Sequence, residues 1–505
     1  MTTVTLRPTG INGGAGDDYE ILQTAINAAS DGDVLLLKAR KLADEPAGPI
    51  TPWFADKSLA EAKALGPAAH APLLTTPSGS FDWLADNEAI GLTNSAWGID
   101  SKQLTLKGDV DGSNNPITLV KGAVDQAAHM TNLVNYYAAF DLSFKRGSAI
   151  FTGGNKLVRF ENLLFKYNMT EGIFAVSPYE IVNCRWDFCS CGIHGFVDNR
   201  HLGNSLVADC QVSNCDWRPY VLLGNDITIR NSKVTGLTTA GNVWNPIIAT
   251  GNLFLPDLSI AYSADTTGWG SIFDLLDIKE HKRALMTGCD FDFTGSAVQP
   301  ATGVSISDNY GVPGGTSDIV IENNTFTKIE AWAYSVIIGA YNDTQACSVT
   351  ANTFTECSGA LGIVSFLGWD YGYEALDCLS SDNTFVDCVA GPAEYFLFTN
   401  SCQSIKNDYI GSELPTNAVD IFASCIVLDS SSNCTVFETG RFPAGQGGPI
   451  KHVSDLNGYN NRIVGTSANK VEKPAGIGQL KKGLMRKARR NKEAKVTARH
   501  DRDKK

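Results

Sequence analysis

Nowhere in this chain of 505 residues do about 18 apolar residues follow one another, so no segment is long enough to cross a bilayer as a helix. The first ten residues, MTTVTLRPTG, have neither the basic stretch nor the apolar run of a secretory signal. The expectation is a soluble protein made in the cytoplasm without a signal peptide. Histidine is scarce, at 7 residues, and no C-x-x-C pair is followed by a second pair or by suitably spaced His, so no metal site is expected. With 43% hydrophobic and 19% charged residues, the composition excludes a wholly disordered chain.

Charge is divided unevenly. The formal net charge is −13, but Lys470 to Lys505 carries 14 Lys or Arg against 4 Asp or Glu, a net of +10 that leaves −23 on the first 469 residues. An acidic body discourages contact with nucleic acid or anionic membranes, so nucleic acid is an expected partner only at the tail. Leu480, Leu484, Met485 and Ala488 also set an apolar stripe on that tail, as a docking segment requires.

A repeat organises the rest. IENNTFTKI from Ile321, VTANTFTEC from Val349 and LSSDNTFVDC from Leu379 align Asn324, Asn352 and Asn383 at intervals of 28 and 31 residues. Looser copies start at Phe160, Ile181, Val207, Ile229, Met286 and Ile405. Their anchor column is Phe165, Trp186, Val212, Val234, Phe291, Phe326, Phe354, Phe385 and Ile410. Alternation about each anchor signals a short strand, and Asn tolerates the left-handed bend that joins one strand to the next. Such steps suit one coil of three strands, with coils stacked about 4.8 Å apart as neighbouring strands in a sheet. The expected fold is all-β, a right-handed parallel β-helix.

The 13 cysteines fall into the same frame. Cys189, Cys215, Cys357 and Cys388 occupy a slot that Ile329 fills in another coil, and Cys184, Cys210 and Cys289 form a second column. Disulfides between stacked coils compete with buried packing. The odd total and the shared Ile slot favour reduced core thiols.

These N-T-F repeats resemble the right-handed β-helix of the pectate lyase superfamily, which includes polysaccharide lyases, hydrolases, epimerases and phage tailspikes. The resemblance implies an N-terminal strand and capping helix over 1–38, where DDYEILQTAINAA places Ile21, Leu22, Ala25, Ile26 and Ala29 on one face. The resemblance covers a β-helix over roughly 103–465, while breaks in the repeat mark irregular excursions over 39–102, a long insertion at 237–281 and a basic tail over 466–505.

Function is expected where the repeat gives way, on long excursions from a rigid scaffold. Trp244 and Trp269 in the insertion, and Trp369, Tyr371 and Tyr373 in FLGWDYGYE, suit a carbohydrate site, because planar rings cover the apolar face of a sugar. Packing of the same rings against the solenoid competes with that role. Catalytic candidates are Arg185, Asp187, Asp209 and Arg218 on consecutive coils, joined by His194, and Asp274 and Asp277 as paired acids. His194 lies in CGIHGF, similar to the G-H-G of polygalacturonases, but an Ile intervenes and the partner motifs are missing. A surface His between turn glycines is the plainer expectation. An anionic glycan would need Ca²⁺ or a local Arg patch such as Arg185 with Arg218.

The functional expectation is a virus-particle protein, like a phage tailspike or fibre, that binds and in one form degrades surface polysaccharide. A lyase, hydrolase or epimerase of the same superfamily is the second expectation. A structural assembly protein, oligomeric through its basic tail, is the third.

Overall fold

The computed structural model describes residues 3–6, 22–38, 97–120, 150–166, 171–187, 191–196, 205–213, 218–223, 226–236, 274–279, 282–296, 299–300, 302–307, 316–331, 337–341, 344–359, 362–368, 374–388, 392–410, 424–438 and 451–465. They divide into two units, one of 1–278 with 283–301 and one of 279–282 with 302–505.

In the first unit the chain winds through three parallel sheets, here A, B and C. One coil shows the pattern: Cys191–Phe196 lies in sheet C, Ser205–Ala208 in A, Gln211–Ser213 in B, and Arg218–Leu223 returns to C. Each strand pairs in parallel register with its counterpart one coil away, as Trp186 does with Phe165 on one side and Val212 on the other. This connectivity is that of a parallel β-helix. No helix among the described residues is long and apolar enough to cross a membrane.

The second unit repeats the plan. Its sheet B consists of Thr325–Thr327, Thr353–Thr355, Thr384–Val386 and Asp408–Ile410. Thr on either side of Phe favours extended backbone, because β-branched and aromatic residues fit a half-buried pleated surface. The central rings point inward and stack: Phe326 on Phe354 and Phe354 on Phe385 at 5.0 Å, and Phe385 on Tyr409 at 5.2 Å. The first unit has the same device in Phe165 on Trp186, 5.4 Å apart and 7° from parallel. All these rings are buried.

The bend between sheets A and B belongs to the residue before the aligned Asn. Asn323, Ala351, Asp382 and Lys406 hold φ of 55°, 53°, 54° and 57°, the left-handed region. Asn324, Asn352, Asn383 and Asn407 instead point inward and form a buried column. Asn352 Oδ1 accepts from Asn324 N and Nδ2 at 3.0 Å each, and Asn383 Oδ1 accepts from Asn352 N and Nδ2 at 2.9 and 3.1 Å. Asn407 Oδ1 does the same for Asn383 at 2.8 and 3.1 Å. The column thereby satisfies backbone groups that the tight corner would leave without partners.

Cysteine takes the same inward position at other corners. Cys347, Cys378, Cys402 and Cys434 follow the left-handed residues Ala346, Asp377, Ser401 and Asn433, and the Cys378 N–H reaches Cys402 Sγ at 3.4 Å. Cys184, Cys210 and Cys289 form a column at the corner between sheets A and B of the first unit, the place that Asn324, Asn352 and Asn383 hold in the second. The described cysteines are free thiols and buried, Cys357 and Cys388 included, whereas Cys189 and Cys215 lie outside the described residues.

Near the start of the chain, Leu22–Ala28 is an α-helix with Ala25 and Ile26 each 1% exposed. Its last carbonyls are met by a cation, as the helix dipole favours. Lys102 Nζ donates to the Ile26, Asn27 and Ala29 oxygens at 2.8, 2.7 and 3.0 Å.

Candidate functional site

Sheet B of the first unit carries Arg185 and Asp187. Its strands here are three or four residues long, and the next-to-last residue of each is buried inward: Phe165, Trp186, Val212, Val234 and Phe291. The flanking residues therefore face outward. They form one column of Arg185, Gln211, Lys233 and Asp290, and a second that begins with Asp187 and Ser213 and ends with Thr235 and Asp292.

Local contacts hold these side chains in place. Asp111 Oδ1 accepts from the Ser113 and Asn115 amides at 2.9 and 2.8 Å, and Asn115 Nδ2 donates to Asp111 Oδ2 at 2.9 Å. The bonds from Asn115 keep the Asp111 carboxyl below its ordinary range. Asn115 Oδ1 in turn accepts from Arg185 Nη2. One coil on, Ser213 Oγ donates to Asp187 Oδ1 at 3.0 Å. Lys233 Nζ lies 2.9 Å from Asp290 Oδ2 and 3.8 Å from Asp292 Oδ2. The hydrogen bond to Asp290 raises the Lys233 pKa against the opposing effect of burial, so the ammonium stays charged.

Lys233 and Asp290 are each 42% exposed, so their pair adds little stability and remains accessible to a ligand. The face thus offers amide, hydroxyl, guanidinium, ammonium and carboxylate groups in register on a hydrogen-bonded ladder. Such an array can bind a ligand rich in hydroxyls. General acid catalysis calls for a carboxyl held above its ordinary range. Among the described residues the carboxyl pushed upward is Glu394, by burial, and it is sealed inside the second unit. Nor do three His, Cys, Asp or Glu side chains converge as a cation site requires, among the described residues.

The remaining candidates lie elsewhere. Asp209 sits at the corner between sheets A and B with φ of 56°, where Asn231 Nδ2 donates to its Oδ1 at 3.3 Å. Arg218 opens a strand of sheet C opposite Cys191. Consecutive coils therefore bring Arg185 and Asp187 onto one face and distribute Asp209 and Arg218 to other parts of the circumference. Asp274 and Asp277 belong to the strand Asp274–Lys279. Trp244, Trp269, Trp369, Tyr371 and Tyr373 lie outside the described residues.

His194 is not a surface residue between turn glycines. It is 4% exposed within the strand Cys191–Phe196 and meets the Phe174 ring edge-on, 4.9 Å between centroids. The neighbouring glycines have a packing cause. A Cβ at Gly192 would come within 2.6 Å of the Pro219 oxygen and 3.4 Å of Trp186 Cγ, and one at Gly195 within 2.6 Å of Tyr179 Oη. Two large rings reach across the coil, and sheet C must leave room for them.

Sequence reasoning missed Asn115, Gln211, Ser213 and Lys233 as members of the Arg185 face. The anchor column held the signal, since the residues on either side of Trp186, Val212, Val234 and Phe291 must all face outward.

No family model matches the chain. No curated protein matches it in sequence. Solved structures similar to it include the A-module of a mannuronan C-5 epimerase from Azotobacter vinelandii, at 11% identity and TM-score 0.43, covering 89% of this chain and 94% of that one. Another is a tailspike protein double mutant of E. coli bacteriophage HK620 in complex with a pentasaccharide, at 10% identity and TM-score 0.42, covering 91% and 80%. A third is a family 28 exopolygalacturonase from Yersinia enterocolitica, at 9% identity and TM-score 0.36, covering 93% and 79%. What the chain shares with them is the parallel β-helix, which its own strand ladders establish.

Proposed function

We propose that this protein binds polysaccharide along the outward face of sheet B in its first unit, as a β-helix protein of a virus particle. The observation that carries the binding is the pair of columns running from Arg185 and Asp187 to Asp290 and Asp292. Hydrogen-bond donors and acceptors follow one another there at the strand spacing of about 4.8 Å, on a scaffold already ordered, so little conformational entropy is lost when a glycan docks. The net −23 of the first 469 residues favours a neutral glycan; an anionic one needs Ca²⁺ or Arg185 to offset repulsion. Trp244, Trp269, Trp369, Tyr371 and Tyr373 are proposed sugar-stacking rings.

Binding is put ahead of cleavage, because the carboxyl that burial raises, Glu394, is sealed inside the second unit. The virus-particle role draws on the charge division: a basic tail and an acidic body suit many copies packed side by side, with the tail of one against the body of the next. A glycan array, run with and without chelator, tests the proposal. Wild-type protein is expected to bind neutral glycans regardless of chelator, and Arg185→Ala with Gln211→Ala and Lys233→Ala to lose them. Full binding by the triple variant would overturn the assignment to this face.

A further inference from the structure

The described residues of the second unit end on an open coil. Its strand Arg462–Gly465 pairs on one side with Thr435–Glu438, and no described strand lies along its other edge. The interior shows the consequence. Val436 is 1% exposed, whereas Ile463, its register partner in the last coil, is only half-buried. On the outward face of the same sheet Phe437, next to Val436, is 37% exposed, and Tyr459 in the last coil is 70% exposed, two of the three large hydrophobics left open among the described residues. A solenoid end of this kind exposes both apolar core and strand edge, and a terminal cap is what keeps it from pairing with other chains.

Gly465 leads directly into 466–505, which lies outside the described residues. Its composition answers what the end lacks. Leu480, Leu484, Met485 and Ala488 are spaced to share one side of a helix, with Lys482, Arg486 and Arg490 on the other. The 15 residues from Gly465 to Leu480 can span up to about 50 Å when extended, so reach is no obstacle.

We propose that the C-terminal segment closes this end of its own chain, laying Leu480, Leu484 and Met485 over Ile463 and the open edge of Arg462–Gly465. Tethering favours the chain's own segment over a neighbour's, since a short flexible link gives an effective concentration of order millimolar. The basic side of the segment then faces outward and remains free to meet acidic neighbours.

Hydrogen exchange on the full chain tests the cap. Amides of Arg462–Gly465 are expected to exchange at least tenfold faster in Leu480→Asp with Leu484→Asp and Met485→Asp than in wild type. Thr353–Thr355 should exchange equally in both, which certifies that the variant folds. Equal rates at Arg462–Gly465 would overturn the cap. A photo-crosslinker at position 484, in a mixture of isotopically heavy and light copies, should join Arg462–Gly465 within one copy; links between heavy and light copies would assign the cover to a neighbour and refute the proposal.

Discussion

Replacing Asn352 by Ala removes the middle of the asparagine column. In the wild type its Oδ1 accepts two bonds from Asn324, through the backbone N–H and Nδ2, and its Nδ2 donates to the Ile321 oxygen at 3.0 Å. Asn324 is 1% exposed, so water does not replace the lost acceptor. Leaving a buried donor without a partner costs about 1 to 3 kcal/mol, and two donors put the loss near 3 kcal/mol or above. A solenoid does not unfold in a single step, so the loss is best read locally. Hydrogen exchange at Thr353–Thr355 should accelerate roughly a hundredfold, since about 1.4 kcal/mol corresponds to a factor of ten. Thr325→Ala, on the exposed side of the same sheet, should stay within about 0.5 kcal/mol of wild type. If Asn352→Ala perturbs exchange no more than Thr325→Ala does, the column is not the buried network described.

Phe354→Ala, which deletes a ring stacked on both sides, should cost about 3 to 5 kcal/mol by local exchange, and a surface-like loss under about 0.5 kcal/mol would contradict its burial. Burial pushes the Cys184 and Cys289 thiols up to about 12, so both should resist alkylation in the native protein and label fully after unfolding without reductant; rapid native labelling would show that the column is accessible. Glu394, facing Ser404 Oγ, Asn407 Nδ2 and Tyr409 Oη inside the second unit, has its pKa raised by burial against those hydrogen bonds. A raised folded-state value means that its stabilising contribution is complete below the ordinary glutamate range and is lost as pH rises through the folded-state value. Glu394→Gln should therefore gain melting temperature relative to wild type as pH increases, and a pH-independent difference between the two would refute a titrating buried carboxyl.

Much of the fold was legible because a solenoid writes its period into the sequence. Phe326, Phe354 and Phe385 recur in one frame and stack in one column. The neighbouring asparagines show where that legibility ends. Spacing alone gives Asn324, Asn352 and Asn383 a shared position, but whether they make the bend or fill the interior depends on a backbone angle. Ala351 and Lys406 take the left-handed conformation although neither residue advertises it. The site divides in the same way. Arg185 and Asp187 attract attention by their charge, whereas Gln211 and Ser213 become informative only once register places them beside those two. His194 illustrates the reverse case, because the glycines around it answer to Trp186 and Tyr179, which reach it from other sheets and leave no trace in local sequence.

The central functional claim is an extended glycan lying on sheet B, and calorimetric titration with a length series of the best-binding oligosaccharide tests it most directly. Arg185, Gln211, Lys233 and Asp290 span four coils, or about 14 Å at the strand spacing, room for roughly three sugar rings. Affinity should climb with each added sugar up to that length and then level, and the Arg185→Ala, Gln211→Ala, Lys233→Ala variant should flatten the climb. A length dependence identical in wild type and variant would contradict the claim.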